Sequence, residues 1–137
     1  MTFSVNIFAL VLGMLVNMGL GALWYSSFLF AKPWMKEANI AAEDISKSSN
    51  EMGKVYGLTA LSALITSYAI GFLVVNLNLT NVVDGLLLTV ILWLGTDLST
   101  IIKNWGFENR TLKLGIINHG YDLVVYGLLT SLYILIS

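Results

Sequence analysis

The stretch Val5–Phe28, VNIFALVLGMLVNMGLGALWYSSF, decides the architecture, because it runs for 24 residues without one charged side chain. About 20 apolar residues in a helix cross the hydrocarbon core of a bilayer. A single segment can do so only as a helix, which satisfies its backbone N–H and C=O groups internally. Three further stretches are comparably long and apolar, Val55–Leu77, Val82–Ile102 and Leu114–Ile136, with Asp84, Asp97 and Asp122 their only charges. The expected fold class is an all-α membrane protein with four transmembrane helices in two antiparallel hairpins, both termini outside. A porin-like barrel would need period-2 alternation over many short segments, a different pattern. Nor does the first stretch read as a cleaved leader. It has no basic flank before it and runs into Trp24, Tyr25 and Phe28 rather than a small-residue cleavage site.

Composition agrees. Hydrophobic residues make up 57% of the 137 and charged residues 11%, against about 25% charged in soluble domains. Mean hydropathy is +0.81. Fifteen charges cannot cover the surface of a water-soluble domain of this size. An ordinary soluble enzyme, a nucleic-acid binder and a disordered chain are therefore excluded, and the expected partner is the lipid bilayer. The lack of cysteine removes thiolate chemistry, and the single histidine leaves little for a transition-metal cluster.

The charges are not scattered. Lys32, Lys36, Glu37, Glu43, Asp44, Lys47, Glu51 and Lys54 lie in one connection, and Lys103, Glu108, Arg110 and Lys113 in another. All seven Lys and Arg residues fall in these two connections, residues 29–54 and 103–113, and none in the connection between them. By the positive-inside rule the first and third connections are cytoplasmic. The expected location is a bacterial or archaeal cytoplasmic membrane, and residues 1–137 read as a single four-helix domain. Trp34 and Trp105 fall where an aromatic belt is expected. Pro33 is expected to stop the first span from continuing into the loop. Residues Met35–Met52 could form an interfacial helix with Ile40 and Ile45 toward lipid. Asp84 is expected at an outer helix N-terminus, where negative charge is favoured.

Two stretches carry a resemblance: GALWYSSFLFAKPWMK, Gly21–Lys36, and NWGFENRTLKLGIINHGYDLV, Asn104–Val124. The sequence resembles the small four-helix membrane proteins grouped as domain-of-unknown-function family 1761. The matching positions are Leu23, Trp24, Tyr25, Ser26, Phe30, Lys32 and Trp34 in the first stretch. In the second they are Asn104, Phe107, Glu108, Arg110, Leu112, Ile117, Asn118, Gly120 and Tyr121. The resemblance implies a polytopic membrane protein and brings no assigned activity. Glu108 and Arg110 have a bland reading as a solvated turn and a sharper one as an ion pair capping the fourth span.

Asp97, Asp122 and His119 stand apart, because an ionisable group at the centre of a span costs about 2.5–3.5 kcal/mol on insertion scales. Asp97 lies six residues before Lys103 and Asp122 nine after Lys113, roughly 9 and 13–14 Å from those boundaries. Asn118 and His119 share a helical face with Asp122, and Trp93 shares one with Asp97. A short connection makes spans three and four neighbours, so Asp97 and His119 could meet. Asp122, deeper and near Asn17, could stay protonated and donate a hydrogen bond. These five polar residues, Asp97, His119, Asp122, Asn118 and Asn17, could form a proton or cation relay, a transporter site or a pocket for a small solute. The competing reading is a non-transporting structural or accessory subunit whose polar side chains bond across helices. A metal site is a weaker option, and no metal, cofactor or catalytic residue is assigned. Gly13, Asn17, Gly21 and Tyr25 recur every four residues, as do Gly53 and Gly57, and Gly127 and Ser131. Such faces serve close packing within a chain or a homo-oligomer interface, and the reading leans toward a homo-oligomer.

Overall fold

Residues 1–40 and 49–136 are described by a computed structural model. Among them there is no strand. The helices are α1 (Ile7–Trp24), α2 (Ala31–Ala38), α3 (Ser49–Asn76), α4 (Val82–Trp93), a π-helical turn (Leu94–Leu98), α5 (Ser99–Phe107) and α6 (Leu112–Ile136). The π turn joins α4 and α5 into one rod, so four rods are long and apolar enough to cross a membrane. Only 17–28% of the residues in their most apolar windows are buried. The apolar bulk therefore faces outward, the reverse of a soluble domain.

Local chemistry sets the ends. Asn6 caps α1, its side-chain oxygen accepting from the Ala9 N–H at 3.0 Å, and Asn81 does the same for α4 through Val83 N–H at 2.7 Å. Asp84 lies in the first turn of α4, as expected of a carboxylate at a helix N-terminus. The turns after α2, α3 and α5 each contain a left-handed residue, Asn39, Asn78 and Asn109. Asparagine tolerates that conformation better than other non-glycine residues.

Several boundaries differ from the sequence reading. The first rod ends at Trp24 rather than Phe28. There the Ser26 hydroxyl donates to Leu23 O, while the Phe30 and Ala31 N–H groups turn back to Trp24 and Ser26 carbonyls. Pro33 is not the stop. It lies in the first turn of α2, where a missing N–H is tolerated. The second rod begins at Ser49 rather than Val55, and the third continues to Phe107 rather than Ile102, carrying Trp105 on a helix. The third connection is thus residues 108–111, not 103–113. The short amphipathic helix is Ala31–Ala38, ended by Asn39, rather than Met35–Met52. Glu43, Asp44, Ile45 and Lys47 lie outside the described residues.

The core runs along α6. Val125, Leu129 and Tyr133 are almost fully buried against Ala9 of α1 and Ile70 and Val74 of α3. Contact is closest where glycine removes a side chain. A Cβ on Gly71 would sit 2.5 Å from the Tyr133 ring, and one on Gly13 would collide with the Ser67 hydroxyl. Ser67 donates to Leu10 O at 3.0 Å and meets the Tyr133 hydroxyl at 3.0 Å. At one end of the bundle Asn76 ties the chain start down, bonding both N–H and C=O of Thr2. α6 packs against α1, α2, α3, α4, the π turn and α5. The rods α3 and α4 touch little, leaving an apolar cleft of about 320 Å³ between them, floored by Tyr126 and Thr130.

Candidate functional site: a buried Asp–His–Asp cluster

The π turn carries the site. Wider turns of this kind occur as local bulges, often where a side chain has a special task, and here the turn holds Asp97. The Asp97 side chain is only 6% exposed. Its Oδ2 lies 2.7 Å from His119 Nδ1, reaching from the third rod to the fourth. Its Oδ1 lies 3.3 Å from the Tyr126 hydroxyl, positioned to donate, and 3.0 Å from the Thr96 hydroxyl, whose one proton is shared with the Leu92 carbonyl at 2.7 Å. Trp93, just before the π turn, donates its indole N–H to the His119 carbonyl at 2.6 Å. One turn along α6, Asp122 Oδ2 stands 3.4 Å from the same His119 nitrogen, and its side chain is 34% exposed. One imidazole nitrogen therefore faces two carboxylates, one closed off and one open to space. Among the described residues, His119 is the only basic side chain that meets either aspartate.

The five residues singled out in sequence do not form one cluster. Asp97, His119 and Asp122 converge, with a ligand atom from each within 4.8 Å of the others. Asn118 instead accepts from the Tyr25 hydroxyl at 2.8 Å. The Tyr121 hydroxyl reaches both the backbone carbonyl and the side-chain carbonyl oxygen of Asn17, with one proton shared between them. A cavity of about 350 Å³ reaches both Asn17 and Asp122, with Ser62, Thr66 and Tyr126 on its walls. On the side of the 108–111 connection, a recess of about 20 Å³ is lined by Asn104, Arg110, Thr111, Asn118 and His119. About 10–15 Å³ suffices for one water, given polar partners. It adjoins a wider polar pocket through Arg110 and Thr111. His119 thus stands between a loop-side recess and the carboxylates.

Tyr126 and the π turn were missed in sequence. Tyr126 lies four residues after Asp122 on the same helical face, and that spacing was the available signal. The glycine pattern resolves mostly inward. Gly13 faces Ser67 and Leu129, Gly21 faces the Tyr121 hydroxyl, and Gly127 faces Leu86, while Gly53 and Gly57 meet nothing within 4 Å.

The two resemblance stretches dock on each other. Trp24 donates its indole N–H to the Ile117 carbonyl at 2.8 Å, and Tyr25 bonds Asn118. The Tyr25 ring stacks edge-on against Trp34 at 4.9 Å and Tyr121 at 5.9 Å, and Trp24 packs on Phe30 at 4.7 Å. The Trp24 ring lies over Gly120, where an added Cβ would make an ordinary contact with it at 3.6 Å. The Asn104 carbonyl accepts from both Glu108 and Arg110 N–H, closing the end of α5. Glu108 and Arg110 pair at 3.1 Å but are more than half exposed, so the pair contributes little.

Fold and site together define a four-rod apolar helical bundle, of a length and composition suited to a membrane, with an ionisable cluster inside it. The chain belongs to the family described as protein of unknown function (DUF1761), whose model matches residues 8–134. No curated protein and no solved structure matches it.

Proposed function

We propose that this chain is an integral membrane protein that takes up a cation at Asp97, His119 and Asp122. The observation that carries the reading is His119 Nδ1, 2.7 Å from one buried carboxylate and 3.4 Å from a second. Two acids with one base leave a negative excess in apolar surroundings, where an uncompensated charge is costly. A cation from outside the cluster, whether a proton, a metal ion or a small cationic solute, removes that excess. The cavity at Asp122 and the recess at His119 support access from two directions. We place the connections bearing Lys32 to Lys54 and Lys103 to Lys113 in the cytoplasm of a bacterial or archaeal cell, with both termini outside. An antiparallel first hairpin is supported by Thr2 meeting Asn76 and Leu10 meeting Ser67, and a second by Asp97 meeting His119 and Ile101 lying against Gly115. Association of copies through the open Gly53–Gly57 face is a further part of this reading.

Purified protein in proteoliposomes, tested for proton and cation flux beside Asp122→Asn and His119→Gln, provides the test. Flux in the parent that falls at least tenfold in both variants is expected. A folded parent without flux removes the transport reading.

One observation favours a second reading, a non-transporting module. Among the described residues no buried side-chain N or O lacks a hydrogen-bond partner. Polar ties of that kind are what helix packing alone requires. Unchanged flux in the variants would favour it.

A further inference from the structure

The cluster has features that point to a particular class of cation. Resting on the cation reading above, we infer that Asp97, His119 and Asp122 bind one divalent first-row transition cation, of the manganese-to-zinc series.

The donor set supports the class. One imidazole with two carboxylates suits these ions, whereas magnesium and calcium take oxygen ligands almost alone. The charge closes as well. With His119 as a neutral ligand, two carboxylates and a divalent ion sum to zero, which one monovalent ion would not achieve. The spacing is compatible. Ligands about 2.0–2.2 Å from an ion lie roughly 3–4 Å from one another. The corresponding distances from His119 Nδ1 are 2.7 Å to Asp97 and 3.4 Å to Asp122. Small side-chain rotations would admit the ion in place of the proton on the imidazole–carboxylate hydrogen bond.

The surroundings match a ligand shell rather than a packing contact. Thr96 and Tyr126 hydroxyls both address Asp97 Oδ1, the oxygen turned away from His119. They orient the carboxylate and leave Oδ2 for the ion, as outer-shell donors do at metal sites. The Trp93 bond to the His119 carbonyl fixes the helix segment that carries the imidazole. On the open side Asp122 borders the cavity of about 350 Å³, which has room for the waters that would complete the coordination sphere.

The test uses full-length protein purified in detergent with a tag free of histidine. After chelator treatment and dialysis it is loaded with cobalt(II), which reports its ligands through visible absorption. One cobalt per chain is expected, with bands distinct from aqueous cobalt. Zinc should displace it, and a large excess of magnesium should not. His119→Gln and Asp122→Asn should lose the bands. Tyr126→Phe should weaken binding by about 10–100-fold, the usual effect of removing an outer-shell partner. Asp84→Asn, at the far end of α4, should bind as the parent does. A folded parent that binds no cobalt or zinc above the His119→Gln level overturns the inference, and so does equal binding by Asp122→Asn. Stoichiometry in the parent decides the matter even if a variant fails to fold. Proton flux that depends on Asp122, in a protein that binds no metal, overturns the metal assignment while leaving the broader cation reading in place. Metal binding without any flux keeps the metal assignment and removes the transport reading.

Discussion

Asp97 and His119 meet at 2.7 Å across two rods, one residue held on a π turn and the other in the second turn of α6. Thr96 and Tyr126 hold the carboxylate, and Trp93 holds the histidine backbone. Asp97→Leu would strand the Tyr126 hydroxyl and leave the imidazole only the longer contact with Asp122 at 3.4 Å. A loss of about 1–3 kcal/mol is expected, the cost of stranding buried polar groups. Asp97→Asn retains an acceptor and should lose less. Reversible unfolding in mixed micelles measures both, and a leucine variant as stable as the parent would contradict the account.

The pair Ser67 and Tyr133 should couple. Each is nearly fully buried, and their hydroxyls lie 3.0 Å apart. Measured interhelical hydrogen bonds in membranes average about 0.6 kcal/mol and reach about 1.7. A double-mutant cycle with Ser67→Ala and Tyr133→Phe should return a value in that range. Strict additivity would show the contact to be energetically idle.

Two glycines on α3 should respond oppositely to alanine. Gly71 supports the Tyr133 ring, and its replacement forces the ring or the helix to move, at about 1–3 kcal/mol for overpacking. Gly57 meets nothing, so alanine there should be neutral or stabilising by up to about 1 kcal/mol through helix propensity. Thermal unfolding of the two variants side by side checks the contrast. Equal destabilisation would argue that Gly57 is covered by another copy.

Threading is tested by reporters. Alkaline phosphatase fused after Ile136 should be active and a fluorescent protein at the same place dark, because both termini are expected outside. The reverse pattern would invert the orientation and put the connection at residues 108–111 outside the cell.

The spans were legible because length and absence of charge are local properties, readable without knowing what a helix touches. Their ends were less so. Trp24 stops α1 through Ser26 and the carbonyls behind it, whereas Pro33 looked the stronger signal. The meeting of Asp97 with His119 followed from matching depths on neighbouring spans. The rotation of each helix could not be read, because these rods are apolar on nearly every side and no stripe marks the inward face. For that reason Asn118 was grouped with Asp122, although it turns to Tyr25, and Tyr126 passed unnoticed. The π turn at Leu94–Leu98 leaves no mark in LGTDL, which has no proline and only one glycine.

The central place of α6 has a consequence for biogenesis. Every other described helix, and the π turn, packs on it, yet among the four rods it is the last to leave the ribosome. The earlier rods can enter the bilayer in order, but their shared partner arrives after them. Until it does, α1 can pair with α3, while α4 and α5 have almost nothing to hold. Assembly should therefore be late and concerted, with the third rod exposed to quality-control proteases for as long as synthesis of the fourth is delayed.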